Sequence, residues 1–428
     1  MTEDAPDLDA VAAVIATNLV APAGVLLLDW SIAVLFGVLV AELAVVFVLA
    51  LVKIPFAAKR SRTLPEQSRV TGLLHRLRGS VSMPGPIPPV YPRNLPPLFG
   101  GAVIGSVLYL FVFALFGYVA AGGVTEGEAG ALALGALTVF LFRTGEELLE
   151  YFVRGGYRDH SAQSAFAPPF TSLLGVGSLL VVAVFVDAAE VGAGRGEVVL
   201  ALLVGGKLLL DLWGLRIEAD EDRHGVLARL FGSTETALEP GAIDQPEGEP
   251  RLRRRPSRRA AVADALGRGG VYGATTPIAF FALIGGAYTA LVRGVLAGVA
   301  VAVLVLAPFV AVRAVARYLT YGAVEYRCYD GLLVVHSPLL GAGQQRLRRG
   351  AVEGVEVDRD PVDRLFDTHT IDLDAEGPDT TPEVGLPDPE ADPDDDANAD
   401  RPRTLAHVTD PDVIVGAIGV AWILERDS

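Results

Sequence analysis

Residues 294–337 read GVLAGVAVAVLVLAPFVAVRAVARYLTYGAVEYRCYDGLLVVHS and change character midway. Gly294 to Val312 is one apolar run of the length that crosses a bilayer as a helix. From about Tyr318 the pattern shortens. VEYRCYD at 324–330 and GLLVVHS at 331–337 are alternating segments of strand type. Tyr329-Asp330-Gly331 joins them, since glycine accepts the positive φ of a tight hairpin. The chain therefore joins membrane-type helices to a small strand-built domain, and the junction lies inside this stretch.

Upstream of it, seven more apolar runs read as spans. They lie near Ala10–Leu28, Ser31–Val52, Leu98–Ala120, Ala129–Leu149, Phe170–Val186, Val198–Leu215 and Val271–Val292, which with Gly294–Val312 makes eight. The composition agrees: 51% of the 428 residues are hydrophobic, and mean hydropathy is +0.42. Basic residues gather in alternate loops. Lys53, Lys59, Arg60, Arg62, Arg69, Arg76, Arg78 and Arg93 follow the second span, Arg154 and Arg158 the fourth, and Arg216 with RLRRRPSRR at 251–259 the sixth. The positive-inside rule then predicts both termini in the cytoplasm of a multi-pass cell-membrane protein.

Downstream, AVEGVEV at 351–357, HTIDLDA at 369–375 and TLAHV at 404–408 also read as strands. Residues 378–400 are rich in Pro and Asp and hold no Lys or Arg. Such a segment has too little apolar surface to fold, so 378–403 reads as a disordered acidic insertion. A last helix is expected with Asp410 as N-cap, Pro411 at its first position and Val413 to Leu424 as its apolar face.

The net charge of −16, with only Lys53, Lys59 and Lys207 as lysines, suits a salt-tolerant, GC-rich organism such as a halophilic archaeon. The single cysteine, Cys328, forms neither an intramolecular disulfide nor a cysteine metal cluster. The start, MTEDAPDLD, lacks the basic region of a signal peptide, so the first span is expected in the mature protein. The basic residues sit beside spans, as topology requires, and no nucleic-acid partner is expected.

The stretch YRCYDGLLVVHSPLLGAGQQRLRRGAVEGVEVDRDPVDRLFDTHTIDLDA at 326–375 resembles the bacterial pleckstrin-homology-like domain of the type that follows a transmembrane helix pair. Val352, Val355 and Val357 fill that family's core pattern, Arg364-Leu365-Phe366 its step, and Thr370-Ile371 its next strand. The resemblance implies an assembly or adaptor role, sometimes in oligomers, without catalytic residues. Residues 10–216 are similar to a haloarchaeal multi-pass family of unknown function, family 6498. Asn18 in NLVAPAGV, the DWS turn at 29–31, Glu42, and Lys207 with Asp211 in KLLLD carry that likeness. The expected organisation is a six-span domain at 1–216, a charged cytoplasmic linker at 217–270, a transmembrane pair at 271–317 and the pleckstrin-homology-like domain at 318–428.

Polar residues inside spans are the first candidates for chemistry, because a charge at the bilayer centre costs about 2.5–3.5 kcal/mol on insertion scales. Asn18, Glu42 and Lys207 lie near span midpoints, and Asp211 is one turn from Lys207. Glu42 is expected to pair with Lys207. The layer is a structural ion pair, a proton or ion path, or the seat of a catalytic carboxylate or lysine. In FRTGEELLEYFVRGGYRDH, at 142–160, Arg143 with Glu147 and Glu150 with Arg154 have the spacing of helix-surface pairs. A metal site from Glu146, Glu150 and His160 lacks any HExxH or Glu-x-x-His spacing. No nucleophile elbow or phosphate loop appears, so no catalytic residue, metal or cofactor is expected. Arg251, Arg253, Arg254, Arg255, Arg258 and Arg259 either touch anionic lipid headgroups or only stop translocation. The leading function is a membrane scaffold or adaptor working through its C-terminal domain, alone in oligomers or with a membrane partner; the alternatives are a transporter using Glu42, Lys207 and Asp211, and a membrane-embedded enzyme acting on lipid, for which no motif speaks.

Overall fold

The computed structural model describes residues 23, 24, 27, 30–61, 74, 76–120, 125–188, 203–209, 236–237, 243, 245–275, 277–375 and 404–426. The chain forms two units. One comprises residues 1–64, 83–90 and 97–239, the other 65–82, 91–96 and 240–428.

The first unit is helical. α1 (Ile32–Lys53) starts where the Ser31 hydroxyl accepts from the Val34 N–H. α2 is Leu95–Ala120. α3 (Glu126–Glu147) opens with a capping box: Thr125 Oγ1 accepts from the Glu128 N–H, and Glu128 Oε2 from the Thr125 N–H. It ends in a π-helical turn, Leu148–Val153. α4 is Ala162–Ala188, and residues 203–209 are also helical. Leu35, Phe36, Leu39 and Leu43 of α1 pack on Val112 of α2, Leu173, Val176 and Leu180 of α4, and Leu203. α3 meets α1 through Val139 against Trp30, Val34 and Val38. At Gly105 of α2 an added Cβ would come within 2.0 Å of the Phe47 ring, the close approach that small residues permit between membrane helices. A two-residue pair, β1 (Arg60–Ser61) with β2 (Thr236–Ala237), completes the unit.

In the second unit, β3 (Leu252–Arg254) precedes α5 (Arg258–Thr275), α6 (Pro277–Arg293) and α7 (Val295–Arg317). α6 and α7 form a hairpin whose backbones meet at Gly286 and Gly298. Then follow β4 (Glu325–Tyr329), β5 (Leu332–Ser337), β6 (Ala342–Arg348), β7 (Val352–Asp358), α8 (Pro361–Phe366), β8 (His369–Ala375), β9 (Thr404–Val408), α9 (Pro411–Ile418) and β10 (Leu424–Arg426). Two four-stranded sheets result, ordered β3-β4-β5-β6 and β10-β7-β8-β9. Alternate residues point inward: Tyr326 and Cys328, Leu333 and Val335, Ile371 and Leu373, closed by Ile414 and Ile418 of α9. Fully burying one such aliphatic side chain stabilises by about 1.5–3 kcal/mol. Gly331 has φ 71°, as the hairpin requires. Residues 74–81 lie on this unit. Leu74 and Leu77 pack with Ala316, Leu319 and Leu340, and the Gln344 amide bonds both the N–H and the C=O of Arg78 at 2.9 Å.

Among the described residues three helices are long and apolar enough to cross a membrane: Ala33–Phe56, Pro92–Gly117 and Val295–Gly322. Arg258–Thr275 and Ala279–Arg293 qualify only as a bent pair, turned by 74°. The span expected from Val271 is therefore interrupted. Pro277 lacks the N–H that a continuous helix would use there. Of the expected spans, Ala10–Leu28 and Val198–Leu215 fall largely outside the described residues. The stretch read as a linker, 217–270, ends in β3 and the first turns of α5. The last helix stops at Ile418 rather than Leu424, because Gly419 turns left-handed at φ 84°. The chain then runs as β10 parallel to β7. Asp410 stands at the cap position of α9 but makes no side-chain cap bond. The expected insertion, 378–403, lies outside the described residues.

Candidate functional site

Two buried charge clusters stand out, one in each unit. In the first unit α1 carries Glu42 between Leu39 and Leu43, on the face it buries. Glu42 and Lys207 are each 7% exposed. Glu42 Oε1 accepts from Arg143 Nη2 at 3.0 Å and lies 3.2 Å from Lys207 Nζ. One carboxylate oxygen thus serves two cations from two other helical segments. A buried carboxylate is tolerated when it is so paired, and removing it would take a close counter-charge from both cations. Asn18 and Asp211 lie outside the described residues.

The helix-spacing pairs expected beside this cluster form differently. Glu147 binds Lys53 at 2.7 Å, and Arg143 reaches Glu146 at 3.9 Å besides Glu42. Lys53 also stands 5.5 Å over the Tyr151 ring, and the Tyr151 hydroxyl donates to the Lys53 carbonyl at 3.0 Å. Glu150 and Arg154 form no ion pair with each other. The π turn at Leu148–Val153 adds a residue to the helical repeat, so positions four apart no longer overlie. His160 Nδ1 meets the Gly156 carbonyl at 2.8 Å. Among the described residues no group of three His, Cys, Asp or Glu is placed to hold a metal.

The second cluster was not visible in the sequence. Asp264 of α5, Asp363 of α8 and His407 of β9 are all nearly inaccessible. His407 Nδ1 lies 2.8 Å from Asp363 Oδ1, and His407 Nε2 lies 3.6 Å from Asp264 Oδ2, an ion contact longer than a hydrogen bond. Asp363 also accepts from the hydroxyls of Thr368 at 2.5 Å and Thr370 at 2.7 Å. Asp264 accepts from Arg268 Nε at 2.8 Å and from Arg317 Nε at the end of α7. Arg268 Nη2 reaches Asp360 at 3.4 Å. Burial works against the ionised forms of both carboxyls. Together the contacts with His407, Arg317 and Arg268 at Asp264, and with His407, Thr368 and Thr370 at Asp363, outweigh it, so both stay below the usual carboxylate range. Burial likewise works against the imidazolium. The two carboxylates overcome it, and the His407 pKa is pushed up to about 9. The cluster ties the apolar hairpin and α5 to the strand domain.

The arginine run is split by β3. Leu252 pairs with Cys328 and faces the core. Arg251 meets Asp330 at 2.9 Å and Arg255 meets Glu325 at 3.9 Å. Arg253, Arg254, Arg258 and Arg259 are exposed.

Comparison with known proteins matches both halves of the chain. A family model described as a family of unknown function, DUF6498, matches residues 1–227. A model described as bacterial PH domain matches residues 279–393. No curated protein and no solved structure matches.

Proposed function

We propose, for a chain that belongs to the DUF6498 family of unknown function and carries a bacterial PH domain, the role of an integral membrane scaffold or adaptor. In this reading eight spans hold the chain in the cell membrane of a salt-adapted organism, with both termini in the cytoplasm. The PH domain then mediates assembly or partner binding at the inner face. The supporting observation is the Asp264–Arg317–His407–Asp363 network. It fixes the PH domain to the end of an apolar hairpin instead of leaving it on a free linker, which suits a module that must be presented at a surface. The exposed arginines Arg253, Arg254, Arg258 and Arg259 add headgroup attraction of about 1 kcal/mol each where they reach anionic lipid.

Cross-linking in native membranes at high salt tests the role, comparing the tagged full-length chain with one truncated after Tyr321. Retention of a defined partner or oligomer by the full-length chain alone supports the adaptor. Monomers without partners in both cases move the weight to a transporter, with Glu42, Arg143 and Lys207 as its first residues to replace.

A further inference from the structure

The charge balance around His407 carries a reading beyond scaffolding. Every element packed there contributes. α5 brings Asp264 and Arg268, α7 Arg317 with Arg313 close behind it, and α8 Asp363 with Asp360 as its N-cap. Thr368 and Thr370 bring only hydroxyls, and the Tyr326 hydroxyl of β4 is turned to the Ala406 carbonyl. Asp264 and Asp363 both face the imidazole, one on each ring nitrogen. A neutral imidazole has one N–H and cannot donate toward both Asp363 and Asp264. Deprotonation would therefore take the imidazole's attraction from at least one of two buried carboxylates. The backbone adds tension. His407 has φ 58°, in the left-handed region that non-glycine residues hold only when their surroundings impose it.

We propose that His407 is a proton-operated latch between the PH domain and the α5–α7 end of the hairpin. With the proton in place, both carboxylates are held and the PH domain is clamped to the helices. When the proton leaves, Asp264 and Asp363 lose their shared partner, the strained backbone at 407 relaxes, and the joint opens while both sheets stay folded. The sign follows from linkage. The folded imidazole titrates near pH 9, above its ordinary value of about 6.5. The latch contribution is therefore complete below about pH 6.5 and is lost as pH rises through about 9.

Hydrogen exchange of the full-length protein in lipid nanodiscs, normalised to the intrinsic rate, tests this across that range. Segments 258–268 and 361–366 should lose protection as pH passes about 9, while β5, β7 and β9 keep theirs. His407→Gln should exchange at the joint equally fast at every pH. Asp363→Asn should open at lower pH than wild type, and it decides the matter if His407→Gln does not accumulate. Wild-type protection that is flat with pH overturns the latch. So does a His407→Gln chain that keeps the wild-type pH dependence, or β5 and β7 opening together with the joint. An unchanged midpoint in Asp363→Asn overturns it as well.

Discussion

Replacing Glu42 by Gln removes a carboxylate that Arg143 and Lys207 share. The two contacts, at 3.0 and 3.2 Å, are each worth about 5 kcal/mol of gross attraction at an effective dielectric near 20. Desolvation offsets most of this in the intact cluster, because all three groups left water to form it. The variant keeps the desolvation and loses the attraction, and stripping one partner from a buried pair costs about 3–5 kcal/mol. Lys207→Met on top of Glu42→Gln removes one of the cations that lost this contact and should return part of that loss. The assay is unfolding of the full chain in mild detergent, run as a cycle of wild type, each single variant and the double. The cluster predicts a coupling of about 0.5–3 kcal/mol between positions 42 and 207. Losses that add to within about 0.5 kcal/mol would refute the pairing.

Three further outcomes are expected. Gly79→Ala places a Cβ 2.2 Å from the Leu340 carbonyl oxygen at φ 84°, so residues 74–81 should detach and trypsin should cut sooner after Arg76 and Arg78. Gly85→Ala, at φ 79° in open space, should leave that cleavage unchanged. Thr125→Ala removes the capping box of α3 and should lower stability by about 1 kcal/mol, read as a reduced thermal midpoint. Cys328 is buried in the PH-domain core and its thiol is pushed up to about 11, so it should resist a thiol reagent at neutral pH until denaturant is added.

The parts of this fold that the sequence revealed are those with a strong period. β4, β5, β7 and β8 alternate cleanly, and Asp330-Gly331 marks their first turn. β3 and α5 were hidden for a physical reason. In LRRR only Leu252 turns inward, and an arginine run beside a span has the same appearance when it merely sets topology. α5 is rich in Ala and Gly, too weakly apolar to be noticed. α9 was read too long, because the apolar run continues through Val420 and Trp422 after the left-handed turn at Gly419. In the bundle, Glu42 and Lys207 drew notice as charges in the middle of apolar runs. Arg143 sits nearer a span end, where helix spacing offered it Glu147, and only the packing of α3 on α1 sends it to Glu42. The His407 cluster has no local signal. Asp264 interrupts the small-residue face of α5 formed by Ala260, Ala261 and Ala265, and that misplaced acid was the one available hint. Of its partners only Arg268 is local; Arg317 lies 53 residues away and His407 further still, and no period connects them.

Sidedness tests the account most directly, because a PH domain that organises partners inside the cell must face the cytoplasm. With Cys328 replaced by Ser and a cysteine placed at the exposed Glu353 of β7, a membrane-impermeant maleimide is added to intact cells and to lysed cells. The account predicts labelling only after lysis. Labelling of intact cells would place the domain outside and contradict the proposed function.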